Sequence, residues 1–220
     1  EEARQANNHS TAHDAQVIAF AMYAGNMKVA REVINAIPRK RLFTQIEPDG
    51  KQPHELRRTL AFGYSQFNLS HFIDIFMMAR KIGISIDNAT SEDGRSFYKA
   101  MDFLVPYVGK DVKAWPYQQI SEWKYKQQEF CKDLYRTFLL NPERKDYLKL
   151  YKTHRIIDWK DRFNLLWMEA DDVDNAYAFA CGQLQFAMQC AAKARKEADN
   201  QCKHRVIPRS INKDGSLRMI

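Results

Sequence analysis

Apolar residues in this chain recur at three- to four-residue spacing almost from end to end, and no stretch alternates like a half-buried strand. That periodicity confines the fold to helices. Val17, Ile18, Ala21, Ala24, Met27, Val29, Ala30, Val33 and Ile34 keep helical spacing until Pro38, which is expected to end the run. Pro48-Asp49-Gly50 is a turn signal, and Pro53 suits a first helical turn. A second helix is predicted from Glu55 to about Arg80, closed by Gly83. Further helices are predicted over Asp93 to Val108, Gln118 to Leu140, Pro142 to Tyr151 and Asp172 to Gln201. The expected class is all-α, built of antiparallel helix hairpins.

At 220 residues with 45% hydrophobic and 28% charged residues, the chain can bury a sizeable core. No apolar run approaches the ~18–20 residues that cross a bilayer. A net charge of +7 favours an acidic partner. Nucleic acid is the generic candidate, but no nucleic-acid motif is present, and because the basic residues are spread along the chain a solvated basic surface accounts for much of the charge. Cys131, Cys181, Cys190 and Cys202 form no CxxC pair and have no His at zinc-ligand spacing, so they are read as buried thiols and no metal site is expected.

Two polar segments stand out from the apolar stripes. Asn7-Asn8-His9-Ser10-Thr11, with His13, Asp14 and Gln16, is richer in polar groups than a helix cap requires. Gln45, Asp49, Gln52, His54, Glu55, Arg57 and Arg58 then precede Tyr64. Together they offer a carboxamide, an imidazole, a guanidinium and a phenol. Such a set can neutralise a carboxylate, remove the proton from the carbon beside it and protonate a leaving oxygen. Each residue also has an ordinary structural reading: Asn-His as a cap, Tyr as core with its hydroxyl tied off.

These segments carry a resemblance. Asn7 to Thr11 with Asp14 and Gln16, the run Gln45 to Thr59, Tyr64-Ser65-Gln66-Phe67-Asn68-Leu69 and Trp115-Pro116-Tyr117-Gln118-Gln119-Ile120 closely resemble the alginate lyase family of polysaccharide lyases. The resemblance runs from the first residue to about Trp167. It implies an incomplete (α/α) toroid and β-elimination on a uronic acid polymer, with mannuronate-rich alginate the first substrate and glucuronan the next. By motif position, Asn8 and Arg58 would neutralise the carboxylate and His9 would assist or act as base. Tyr64 would protonate the leaving oxygen. In mannuronate and glucuronate H5 and O4 share a ring face, so Tyr64 can serve as base and acid in turn, and a neighbouring guanidinium would favour its transient phenolate. In guluronate the two lie on opposite faces and His9 would be the base. Gln52, His13 and Trp115 are candidates for substrate binding. Packing between helices is an equal reading of Trp115. Residues seven apart share a helix face, which favours Arg57 beside Tyr64, whereas the motif selects Arg58; both stay open here. No cofactor is implied, because Arg and Asn can do the neutralising.

The chain is expected to begin inside a domain, with residues 1–168 forming the C-terminal part of the lyase-like toroid. Residues 169–220 resemble the start of an unsaturated glucuronyl hydrolase through Asp172-Asn175-Ala176-Phe179-Ala180-Gln183-Leu184, Ile207-Pro208-Arg209-Ser210 and Asp214-Gly215-Ser216-Leu217. The alternative is a C-terminal helix and tail of the lyase itself. A polymeric substrate would place the protein in the periplasm or outside the cell. The contrasting functional reading is a non-catalytic basic helical module that binds acidic glycans.

Overall fold

The computed structural model of the protein describes residues 1–156, 161–163, 193 and 196. The chain divides into two compact units, Glu1–Ile157 and Asp158–Ile220, and the elements below belong to the first. Of the predicted Asp172 to Gln201 helix, Lys193 and Lys196 are described, both helical and exposed; the rest of it, the hydrolase-like motifs and Cys181, Cys190 and Cys202 lie outside the described residues. Described residues from 1 to 156 form helices joined by loops, with isolated bridges at Leu60–Gln119 and Thr90–Ser96 as the β-type pairing among them.

The first predicted helix is two. α1 (Asn8–Tyr23) starts where the Asn7 side chain accepts the His9 N–H at 3.2 Å. It stops at Ala24, because Gly25 takes φ +72° and turns the chain, and Asn26 caps the next helix by accepting from Val29 N–H. α2 (Met27–Ile37) buries Ala30, Ile34 and Ile37 on one stripe. Pro38 does not end the run. It opens a wider π-type turn, Pro38–Leu42, whose first position needs no N–H, and the chain continues into α3 (Phe43–Gln45).

A tight loop follows, in which Gly50 sits at φ +87° and a Cβ there would lie 2.1 Å from the Lys99 carbonyl oxygen. Then come α4 (Pro53–Leu56) and α5 (Ala61–Lys81). The expected continuous helix from Glu55 is therefore broken at Arg57–Leu60. The break has a cause outside the segment: Ala61 N–H donates to Gln118 C=O at 2.9 Å and Ile120 N–H to Thr59 C=O at 3.1 Å. The same pairing removes Gln118 to Glu122 from the fourth predicted helix. After α6 (Phe97–Leu104), capped by Ser96, that helix begins only at Trp123 as α7 (Trp123–Leu140). The hairpin closes with α8 (Lys145–His154).

α5 is the central element. It packs against α1 on one side and α7 on another, while α1 pairs with α2 and α7 with α8. Phe62, Phe72, Phe76, Phe97, Phe130 and Tyr147 are fully buried around it. Each such ring contributes roughly 1.5–3 kcal/mol relative to exposure. Cys131 is a buried free thiol, its pKa pushed up to about 12 by that burial.

Candidate active site

The start of α1 is fastened to the chain before α5 by one carboxylate. Glu55, buried at the end of α4, accepts the Asn8 backbone N–H at 2.6 Å and the Asn8 side-chain N–H at 2.8 Å. Asn8 is itself buried, so both contacts fix its amide in one orientation. Burial pushes the Glu55 carboxyl above its usual range, against the opposing pull of the Asn8 hydrogen bonds and the Arg58 and His54 charges. Three residues after Glu55, within the helix break, the Arg58 guanidinium carbon lies 3.9 Å from the centroid of the Tyr64 ring. Arg57 is exposed. The seven-residue face rule assumed an unbroken helix and fails here because α5 starts only at Ala61.

The phenol, the guanidinium and the carboxamide thus form a linked row: Tyr64 on Arg58, Arg58 beside Glu55, Glu55 holding Asn8. His9 follows Asn8 and is about half exposed, with Nδ1 2.7 Å from a Glu2 carboxylate oxygen. His13 lies one turn further along the same face of α1, partly exposed, with Nδ1 3.2 Å from Asp14. Asp14 is buried and ion-paired to Arg41 Nε at 2.8 Å. Burial raises its carboxyl, but hydrogen bonds from Arg41 and His13 and the charges of Arg41 and Lys40 outweigh this, and the net pKa lies below the usual range.

Most of the remaining polar residues hold the backbone rather than face solvent. Gln45 Oε1 accepts from Thr11 Oγ1 at 3.0 Å and from Asn68 Nδ2 at 2.9 Å. Asn68 Nδ2 also donates to Gln52 Oε1 at 2.8 Å, and Gln52 Nε2 donates to the Ser65 C=O at 3.1 Å. This buried carboxamide chain locks the start of α1 to α5 one residue past Tyr64. Gln52, a candidate for binding substrate, is accordingly only 2% exposed with its amide engaged on both sides. Trp115 is 5% exposed and edge-packed on Phe62 and Tyr107 at centroid distances of 5.4 and 4.8 Å. Trp115 thus packs among aromatic rings and presents little surface to a sugar.

Three residues to which the sequence reading assigns no role shape the site. Glu55 stands there only as one of the polar groups before Tyr64. Gln119 reaches back so that its Oε1 accepts Phe62 N–H at 3.1 Å and Gly63 N–H at 3.3 Å, capping α5 from 57 residues away in sequence. Lys126, on α7, lines with Leu60, Gly63, Tyr64, Phe67 and Glu122 a cavity of about 230 Å³ beside the phenol. No local pattern marks a long-range cap or a cavity wall. Among the described residues, no His, Cys, Asp and Glu side chains cluster so as to hold a metal ion, and no helix is long and apolar enough to cross a membrane.

A family model described as alginate lyase matches residues 1–115, the stretch that contains Asn8, His9, Arg58 and Tyr64. The chain belongs to the alginate lyase family. Among solved structures, it is similar to an alginate lyase from Bacteroides ovatus at 47% identity and a TM-score of 0.74. That match covers 77% of this chain and 44% of the other, so this alginate lyase family chain spans less than half the length of that relative. No curated protein matches the chain. The fold is the one that the resemblance implied, all-α and made of helix hairpins of an incomplete (α/α) toroid.

Proposed function

We propose that the protein of which this chain is part is a polysaccharide lyase that cleaves a polyuronate by β-elimination. Mannuronate-rich alginate is the first substrate and glucuronan the next, in the periplasm or outside the cell. The observation that carries this reading is the Arg58 guanidinium against the Tyr64 ring, 3.9 Å from its centroid, in a member of this family. Tyr64, acting as phenolate beside that cation, takes H5 from the sugar. Asn8, held by Glu55, and Arg58 neutralise the C6 carboxylate, so the charge that develops when the C5–H bond breaks is spread onto an already compensated group. The electron pair then forms the C4–C5 double bond as the C4–O4 bond breaks. Tyr64 returns its proton to O4, which departs with the neighbouring sugar. His9, exposed one residue after Asn8, serves as the base where H5 and O4 lie on opposite faces.

Incubation with polymannuronate, polyguluronate and glucuronan, followed by ultraviolet absorbance of the unsaturated product, tests this reading. Product from polymannuronate is expected, and Tyr64→Phe should lower kcat at least 10³-fold, a large loss by the ~10²–10⁴-fold scale of general acid–base catalysis. Arg58→Ala should lower kcat/KM by about 10²-fold, while Arg57→Ala stays close to the parent. Absence of product from all three polymers would overturn the proposal.

A further inference from the structure

The cavity beside Tyr64 is lined by a lysine, Lys126, that the row Asn8–Glu55–Arg58–Tyr64 does not use; its ammonium lies near Glu122 and 5.1 Å from the centroid of the Tyr125 ring. Its lining comes from α5, through Leu60, Gly63, Tyr64 and Phe67, and from the start of α7, through Glu122 and Lys126. Arg58 rests on the same phenol but is not part of that lining. Tyr64 therefore touches Arg58 and also lines the cavity that Lys126 shares.

The position of Lys126 is built into α5. A Cβ on Gly63 would lie 3.0 Å from Lys126 Cγ and 3.2 Å from its Cδ and Cε, so the lysine stem lies flat on helix backbone next to Tyr64. The side chain is one-fifth exposed. Its ammonium meets Glu122 at 3.8 Å, a long contact to a half-exposed carboxylate. A contact of that kind is weak, and an incoming carboxylate can compete for the cation. At about 230 Å³ the cavity is smaller than the ~300–1,000 Å³ of sites for drug-sized ligands and suits a single sugar ring.

We propose that Lys126 is a substrate-binding residue for a second uronate. Its ammonium pairs with the carboxylate of the sugar on the leaving side of the bond that is cut, while Asn8 and Arg58 hold the carboxylate of the sugar that loses H5. This assignment rests on the lyase reading for the direction of the chain. The cavity itself requires only an anionic sugar. Two carboxylates on adjacent units, each met by its own cation near one phenol, would set the glycosidic oxygen at Tyr64. Glu122 adds a bias, because its carboxylate accepts from sugar hydroxyls and repels a second negative charge. The cavity then selects one uronate per site.

The test measures binding without turnover. In a Tyr64→Phe background of the full 220-residue chain, calorimetry with saturated mannuronate tetramers is compared with the same protein carrying Lys126→Met or Lys126→Arg. Methionine keeps the stem on Gly63 and removes only the charge. Binding about tenfold or more weaker in Lys126→Met, with most of it restored in Lys126→Arg, is expected for a charge-assisted contact. Equal binding by the methionine variant overturns the proposal, as does failure of the Tyr64→Phe chain to bind the tetramer. Polymer cleavage by the chain with native Tyr64 is scored separately. Tetramer bound through Lys126 without cleavage keeps the contact between Lys126 and a uronate and removes its assignment to the leaving side. Cleavage that is indifferent to Lys126 keeps the lyase reading and overturns the contact.

Discussion

Glu55 shows how much of a site can depend on a residue that does no chemistry itself. It spends both carboxylate oxygens on Asn8, one on the main chain and one on the side chain. Glutamine at this position keeps the size and loses the match: one carbonyl oxygen faces two N–H donors, and a new NH₂ opposes the Asn8 amide. A buried donor left without an acceptor costs about 1–3 kcal/mol, so the Asn8 side chain is expected to turn away. Glu55→Gln should therefore lower kcat on polymannuronate by about 10- to 100-fold with KM within about threefold, since a neutralising contact made mainly in the transition state is what is lost. Steady-state kinetics beside a urea unfolding curve check this. An unchanged kcat in a folded variant would show that the carboxylate serves only the fold.

Among the elements, what was legible in the sequence is what local spacing encodes. The stripes Ala30-Ile34-Ile37 and Phe72-Ile75-Phe76-Ala79 are helical by period alone, and they are helical in the fold. The errors fall where a partner far along the chain intervenes. Arg57 to Leu60 reads as helix but is drawn into pairing with residues 118–120, and Gln118 to Glu122 loses helical form for the same reason. Gln52 and Trp115 stand as candidates for sugar contacts, and their burial depends on neighbours that no spacing reveals. The roles of Asn8, Arg58 and Tyr64 came from motif resemblance; composition offered only a set of groups able to react. The α5 start is the sharpest case, because its own N-cap, Leu60, provides no side-chain acceptor. Gln119→Ala should uncover two N–H groups there and cost about 1 kcal/mol, like loss of a conventional cap. The urea midpoint should fall accordingly, and kcat should fall with it as the Tyr64 turn frays; an unaltered midpoint would assign the first turn's stability to packing alone.

At the scale of the whole molecule, the α5–α7 seam buries one acid with an unusual titration. Asp133 accepts from Gln66 Nε2 at 2.7 Å and from Arg136 at 3.2 Å, with Asp74 and Glu129 near enough to add negative potential. Burial raises its pKa to about 6, more than Arg136 and Gln66 pull it down. Between about pH 4 and pH 6 the folded chain thus holds a proton that the unfolded chain has released, and this group's contribution to stability falls as pH rises, by up to about 1.4 kcal/mol per pH unit. Asp14 acts in the opposite sense, its lowered pKa costing stability as pH falls into the acid range. Comparing thermal midpoints of the parent and Asp133→Asn across pH 4 to 7 isolates the first effect: their difference should change steadily up to about pH 6 and then level off. A difference independent of pH would mean that Asp133 is ionised in both states throughout. The Gln119 cap carries a temporal consequence as well. Arg58 and Tyr64 leave the ribosome long before the residue that completes their helix start, so a nascent chain can collapse around α5 yet remain without an ordered phenol. The candidate site is completed only once Gln119 has been made, and chains that stop before it should be helical with a frayed Tyr64 turn.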